Sequence, residues 1–325
     1  MVIMLSIFST YATSIFLEGV FFLIAGVIIS SLIEVFIPGE FIEKIIPENR
    51  LLGIAAASFT GLLFPVCECG IVPVAARLIK KGVPAANAVT MMLSIPIVNI
   101  VVFTSTHFAF KNIPEIAFYR TAGGIIVSFV IGVIITFFMK DEFVLKDNKP
   151  GKYAPVDYKC SGELISIRNC GCYCHTHQDD ETVPGSFLNK LQMVFFHSIA
   201  EFFDTGRFFI TGVLATSLLQ TIIPRTWFTS VSSTFPVSEL FMSGYAFILS
   251  ICSQTDAFIA RSFSDSFGAG ALLCFMISGA MIDIKNITMM KNIFSTKFIL
   301  LLSSMIIFFT ITFSRIAEML IGAGL

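Results

Sequence analysis

Eight apolar stretches dominate this chain, near Thr13–Pro38, Leu51–Ala76, Pro84–Ser105, Ile116–Phe138, Arg207–Pro224, Val237–Ala260, Gly268–Ile284 and Lys297–Phe313. Each approaches the ~20 apolar residues that a helix needs to cross the hydrocarbon core of a bilayer. In lipid, backbone N–H and C=O groups must pair within the segment, so such runs fold as helices. The expected fold class is an all-α polytopic membrane protein with about eight transmembrane helices. Two further stretches, Phe187–Phe203 and the first dozen residues, have the character of interfacial helices.

Composition agrees. Charged residues are 13% of the chain, against ~25% in soluble domains. That excludes an ordinary cytosolic enzyme and a disordered chain. A net charge of −1 gives no reason to expect nucleic acid as a partner; the bilayer is the expected partner instead. No Lys or Arg precedes the first apolar run, so the N-terminal segment is expected to be retained rather than cleaved.

The longest polar stretch divides the chain into a first membrane repeat (1–139), a linker (140–190) and a second membrane repeat (191–325). With four spans before it, the linker shares a side with Arg77, Lys80 and Lys81, and together they hold ten Lys or Arg. The opposite loops of that half, around Lys44, Arg50 and Lys111, hold three. The positive-inside tendency then places the linker and both termini in the cytoplasm of a plasma-membrane protein. Lys285, Lys291 and Lys297 do not fit, because four spans in the second half put them outside.

The halves resemble each other. FLIAGVIISSLIEVFIP, ending at Pro38, aligns with FFITGVLATSLLQTIIP, ending at Pro224, matching Gly26 to Gly212 and Ser31 to Ser217. Residues 84–100 align without gaps to 268–284, matching Ser94 to Ser278 and Asn99 to Asp283. Matches in the same order predict two homologous four-helix repeats. Four spans each would make them parallel, and an odd number would make them inverted.

The segment Phe64-Pro65-Val66-Cys67-Glu68-Cys69-Gly70-Ile71-Val72-Pro73 holds two prolines and a glycine that break a helix inside an apolar run. Cys252-Ser253-Gln254-Thr255-Asp256 is equally polar at the matching place in the second half. Broken helices near the midplane, at corresponding places in two repeats, point to a transport site. Its expected lining is Cys67, Glu68, Cys69, Ser94 and Asn99 from one half, and Cys252, Asp256, Ser278 and Asp283 from the other. An intramembrane carboxylate costs several kcal/mol and faces a cavity or a partner. Thiolates favour soft, thiophilic centres. Cys274 reads as a small core residue, Arg120 as a first-turn charge, and Arg77 and Arg261 as snorkelling or paired cations.

In the linker, residues 170–177 read Cys-Gly-Cys-Tyr-Cys-His-Thr-His. Cys170, Cys172, Cys174, His175 and His177 supply ligands suited to Zn²⁺ or, with thiolates alone, Cu(I). The spacing is not that of a folded zinc module, and no cofactor is otherwise required.

These residues carry a resemblance. Pro65-Val-Cys67-Glu-Cys69-Gly70-Ile-Val-Pro73, Gly82 and Ser94-Ile-Pro96-Ile-Val-Asn99 resemble the predicted permease family that includes the trivalent organoarsenical efflux permeases. Cys252-Ser-Gln-Thr-Asp256 and Gly279-Ala-Met-Ile-Asp283-Ile-Lys-Asn resemble its branch that pairs with a second subunit. Glu68 departs from the small polar residue of many relatives. The resemblance implies about eight spans and transport rather than enzymatic catalysis. The expected function is efflux of a thiophilic metal, metalloid or small thiol-reactive compound. The alternatives are a divalent (Zn²⁺) transporter subunit and an intramembrane thiol–disulfide oxidoreductase. No GxxxxGK[ST] occurs, so any energy comes from an ion gradient or another subunit.

Overall fold

The computed structural model describes residues 2–36, 50–62, 68–80, 82–138, 144, 187–222, 236–264, 266–291 and 293–323. Cys67 and the whole 170–177 cluster lie outside the described residues, as do the side chains of Cys69, Glu18, Glu34 and Asp204. The protein is an all-α polytopic membrane protein. Among the described residues, four helical segments are long and apolar enough to cross a membrane: Phe8–Ile29, Glu115–Phe138, Ala269–Met290 and Thr296–Ile321.

The first half contains α1 (Val2–Phe36), α2 (Arg50–Phe59, extended by a 3-10 turn at Thr60–Leu62), α3 (Glu68–Lys80), α4 (Ala85–Ser94), α5 (Ile100–Ala109) and α6 (Glu115–Phe138). The second contains α7 (Phe187–Ile222), α8 (Val237–Leu249), α9 (Asp256–Ser262), α10 (Ala269–Met281), α11 (Ile284–Met290) and α12 (Thr296–Ala323). The order is the same in both: one long helix, two short pairs, one long helix. At 35 and 36 residues, α1 and α7 are over ~50 Å long and pack side by side, with Phe209 against Gly19. The stretches expected to be interfacial are continuous with these helices.

Sequence chemistry sets the breaks. Gly82, at φ +90°, lets the chain reverse after α3, with Val83 N–H donating to the Leu78 carbonyl at 3.0 Å. A side chain is disfavoured in that backbone region. Pro96 has no N–H to continue α4, and Asn99 caps α5 by accepting from the Val101 N–H at 2.9 Å. In the second half, Asp283 does the same for α11, accepting from the Asn286 N–H at 2.6 Å. Asn99 and Asp283 are both extended residues between two helices. Short polar side chains satisfy the orphan donors that such a break leaves.

Close approaches at glycines fix the helix directions. Gly53 of α2 faces Asn87 of α4, and Gly61 faces Ile95 and Val98, so α2 and α4 run parallel. Gly132 of α6 faces Thr90, and Gly124 faces Ile97, so α6 runs against α4. The Gly82 turn joins α3 to the start of α4, so α3 returns to the end where α2 began. The second half does likewise. Gly279 of α10 meets Ala246 of α8 in parallel register, and Gly268 and Gly270 face Glu318 near the end of α12. Phe241 of α8 stacks on Phe267, just before α10, and Tyr245 meets Phe263, just after α9.

This corrects three expectations. Stretches 51–76 and 237–260 do not cross. Each is a helical hairpin that enters the bundle and turns back, because Gly82 and the Phe263–Phe267 turn reverse the chain. Among the described residues, each half holds two segments long and apolar enough to cross a membrane, together with one such hairpin. The Ser295 N–H donates to the Val144 carbonyl at 3.0 Å, so α12 starts beside the chain that has just left α6. We call this the linker end. From there α12 runs away, so its C-terminal end lies at the opposite end of the bundle from Val144, not on the linker's side. Lys291 and Lys297, which four spans would set apart from the linker, lie at its end.

Candidate functional site

The two hairpins enter from opposite ends, and each begins its return helix with a buried carboxylate. Glu68 is the first residue of α3 and is 2% exposed; Asp256 is the first residue of α9 and is 4% exposed. Burial of such groups inside an apolar bundle requires partners. Each partner comes from the other half of the chain.

Asp256 is held by Arg120, five residues into α6. Arg120 Nη2 donates to Asp256 Oδ2 at 2.7 Å and to the Ser253 carbonyl at 2.9 Å. Arg120 Nη1 donates to Thr106 Oγ1 at 2.8 Å. Arg120 is 1% exposed and among the largest fully buried side chains. One guanidinium thus ties together α5, α6 and the polar 250–256 segment. Only a planar, multi-donor cation does this with one side chain.

Glu68 faces Lys285, the second residue of α11. Lys285 Nζ lies 4.0 Å from Glu68 Oε1 and 3.7 Å from Asp283 Oδ2. Both distances exceed a normal hydrogen bond. Asp283 is fully buried, and Lys285 and Asn286 are each 3% exposed. Ser250 is held at φ 46°, and its Oγ accepts from the Ile284 N–H at 3.0 Å. That bond pins the end of α8 to the α10–α11 break. Among the described residues, Glu68 Oε2, Asp283 Oδ2 and Asn286 Oδ1 are buried with no hydrogen-bond partner.

Of the other expected site residues, Cys252 is buried and reduced, one residue before Ser253. Ser94 is buried and donates to the Ala57 carbonyl of α2 at 3.1 Å. Ser278 donates to the Cys274 carbonyl of its own helix at 2.7 Å. Asn99 is 3% exposed and lines a groove of about 410 Å³ whose other walls include Ile100, Phe103 and Phe118. That groove is separate from both ion pairs. The structure thus brings Glu68 to Asp283 through Lys285, ties Asp256 to Arg120, and leaves Ser94, Ser278 and Asn99 in other contacts. Cys274 is a fully buried, reduced residue of α10. Arg261 lies over the Phe110 ring at 5.8 Å.

Reading the sequence missed Arg120, Lys285, Asn286 and Ser250. Arg120 was legible as an arginine five residues inside an uninterrupted span. Lys285 was legible in Asp283-Ile-Lys285-Asn286, where acid and base stand two residues apart. Ser250 carries no sequence signal. Among the described residues, no group of three or more His, Cys, Asp or Glu is arranged to hold a metal ion.

Residues 4–319 match the family described as "Predicted permease". The chain is 37% identical over 294 residues to "UPF0718 protein YcgR" of Bacillus subtilis, covering 90% of this chain and 91% of that one. It is 35% identical over 290 residues to a Streptococcus mutans protein named "Putative two-component membrane permease complex subunit", covering 88% and 87%. No solved structure matches. With nearly its whole length matched and its polar residues gathered where helices break inside an apolar bundle, the chain belongs to the predicted permease family and is a membrane permease rather than an enzyme.

Proposed function

We propose that this permease exports a thiophilic metal, metalloid or small thiol-reactive compound across the plasma membrane, as one subunit of a two-component complex. The observation that carries the reading is the pair of opposed hairpins. Each turns back inside the bundle, and the sequence sets Cys beside carboxylate in each: Cys67 and Cys69 flank Glu68 in one, and Cys252 stands four residues before Asp256 in the other. Helix breaks at membrane depth are tolerated where the freed backbone meets protein or lines a path. Soft thiolates would bind the substrate transiently, with two or three ligands so that release stays fast. The second subunit is suggested by the name of the Streptococcus relative.

The linker end is proposed to be cytoplasmic. Arg77, Lys291 and Lys297 lie toward that end, as positive-inside bias favours. The Cys170–His177 cluster would then capture Zn²⁺ or Cu⁺ on the cytoplasmic side. The common element order and the shared capping roles of Asn99 and Asp283 support descent from a duplicated unit, inverted because the two hairpins enter from opposite ends of the bundle.

A divalent-cation path built on Glu68, Asp256 and Asp283 has less support. Lys285 and Arg120 already occupy the positions a hard cation would take beside those carboxylates.

Everted membrane vesicles containing the chain and its co-expressed partner test the reading. Methylarsenite, arsenite, Cu⁺ and Zn²⁺ are offered separately. Accumulation of a thiophilic solute, lost in Cys67→Ser and in Cys69→Ser, supports it. Zn²⁺ accumulation that survives both substitutions overturns it in favour of the divalent reading.

A further inference from the structure

We propose that the outer face of α5, with the groove beside it, is the docking site for a transmembrane helix of the second subunit, seated on α5 as α7 is seated on α11. The identity of the occupant rests on the two-component reading above, and its register on the duplicated unit; the exposure of the face rests on neither.

The two broken helices supply the comparison. Asn99 caps α5 and Asp283 caps α11, so Val101 and Lys285 are the second residues of corresponding helices. Their inner sides agree: Val102 and Thr106 on α5 answer to Asn286 and Met290 on α11, and all four are buried. Their outer sides do not agree. Lys285 is 3% exposed and Met289 is buried, whereas Val101 is 42% exposed and Ser105 is half-buried. Ile100, at the start of α5, is 66% exposed.

One helix makes the difference. α7 lies along α11, and a Cβ at Gly212 would stand 2.8 Å from Lys285 Cα. Inverted repeats would set α1 along α5 in the same way, with Gly26, the residue matched to Gly212, against Val101. Gly26 instead meets the backbone of Gly70 in α3. Both long helices therefore stand on the side of α3 and α11. Among the described residues, neither packs along α5 or α9. The matched glycines make unmatched contacts, and the α5 side lacks the helix that its counterpart has.

The bare face has the form of a helix seat. Val101, Thr104 and Phe108 are all exposed and recur at three- and four-residue steps, so they form one outward row. The groove of about 410 Å³ runs beside that row, between α5 and α6. Phe118, 63% exposed, meets Phe103 edge-on at 5.1 Å and walls it, while the small side chains of Thr121 and Ala122 let a neighbour come close. The helix that fits carries glycine or alanine at the level of Val101, as α7 carries Gly212, and a large apolar side chain for the groove. A second copy of this chain is the poorer occupant. Its α7 would dock on a different surface of its neighbour, and such a head-to-tail contact extends into rows unless it closes a ring. A non-identical subunit ends after one contact.

Photo-cross-linking in membranes tests the seat. The full chain and the second subunit are co-expressed with different affinity tags, and p-benzoyl-phenylalanine is placed at Val101, Thr104 or Phe108, one position at a time. Leu300, exposed on α12, is the control. The expected result is an adduct carrying both tags from the three α5 positions and none from Leu300. Co-purification of the two subunits without such an adduct from α5, or with one from Leu300 alone, overturns the docking face. An adduct of the chain with itself from Val101 and Phe108 overturns the choice of occupant in favour of a second copy. Failure of the two subunits to co-purify overturns the two-component reading and this occupant with it. Should the Val101 variant not accumulate, Phe108 decides, because there one aromatic ring replaces another.

Discussion

Two ion pairs join the halves of this permease, and they are built for opposite purposes. The Arg120–Asp256 pair is closed: the contact is 2.7 Å, and the same guanidinium also serves Ser253 and Thr106. The Glu68–Lys285–Asp283 group is open, with contacts of 3.7 and 4.0 Å and acceptor oxygens lacking donors. A buried charge is stable only when both its charge and its hydrogen-bonding capacity are met. The first pair meets its charge in direct contact and acts as a brace, although Arg120 Nε is buried without a hydrogen-bond partner among the described residues. The second meets its charge only at longer range, so it is the looser of the two links.

The sharpest way to break the comparison is to remove the brace. Arg120→Met leaves Asp256 buried beside an apolar side chain and should lower stability by about 3–5 kcal/mol. Thermal unfolding of the purified protein would measure it. The double variant Arg120→Met with Asp256→Leu should recover most of that loss, because no uncompensated charge remains. If the double variant is as unstable as the single one, the pair is not a simple charge brace.

Next in size is a test at Gly26. A side chain there would collide with the backbone of Gly70, two residues after Glu68. Gly26→Ala should cost about 1–3 kcal/mol as overpacking and should slow transport by displacing α3. Gly206, with open space around its Cβ position, is the matched control in α7, where Gly206→Ala should be neutral or stabilising by ~1 kcal/mol.

Cap replacement should be smaller. Asn99→Ala removes the acceptor for the Val101 N–H and should cost ~1 kcal/mol, while Asn99→Asp should be close to neutral in stability. The same exchange at Asp283, Asp283→Asn, should keep the cap yet alter transport, because only Asp283 faces Lys285. Equal transport effects at the two positions would erase the distinction between them.

The smallest effect is expected in the open group itself. Glu68→Gln keeps size and removes one of two like charges competing for one ammonium. Its melting temperature should stay near the wild-type value. A large destabilisation would mean that Glu68 braces the fold as Asp256 does.

The sequence carried much of this. Apolar runs announced an all-α membrane protein because lipid leaves the backbone no other solution. Pro96 marked a broken helix because proline lacks an N–H, whereas Pro73 stands inside α3 without ending it. Cys67 to Pro73 and Asn99 carried the family. Glu68, Asp256 and Asp283 stood out because carboxylates are costly in apolar segments, and Asp283 matched Asn99 by alignment before both emerged as caps.

Direction was not legible. Hydropathy measures length and apolarity and is identical for a helix that crosses and a pair that turns back. Only contacts such as Gly53 with Asn87 and Phe241 with Phe267 show that the second element of each half is a hairpin. That one change reverses α12 and moves Lys291 and Lys297 to the linker end. Pairing was illegible for a related reason. Arg120 and Asp256 are 136 residues apart, and no local pattern records which buried base meets which buried acid. Composition requires that buried charges find partners; the packing of two opposed hairpins decides which partners they find, and how tightly.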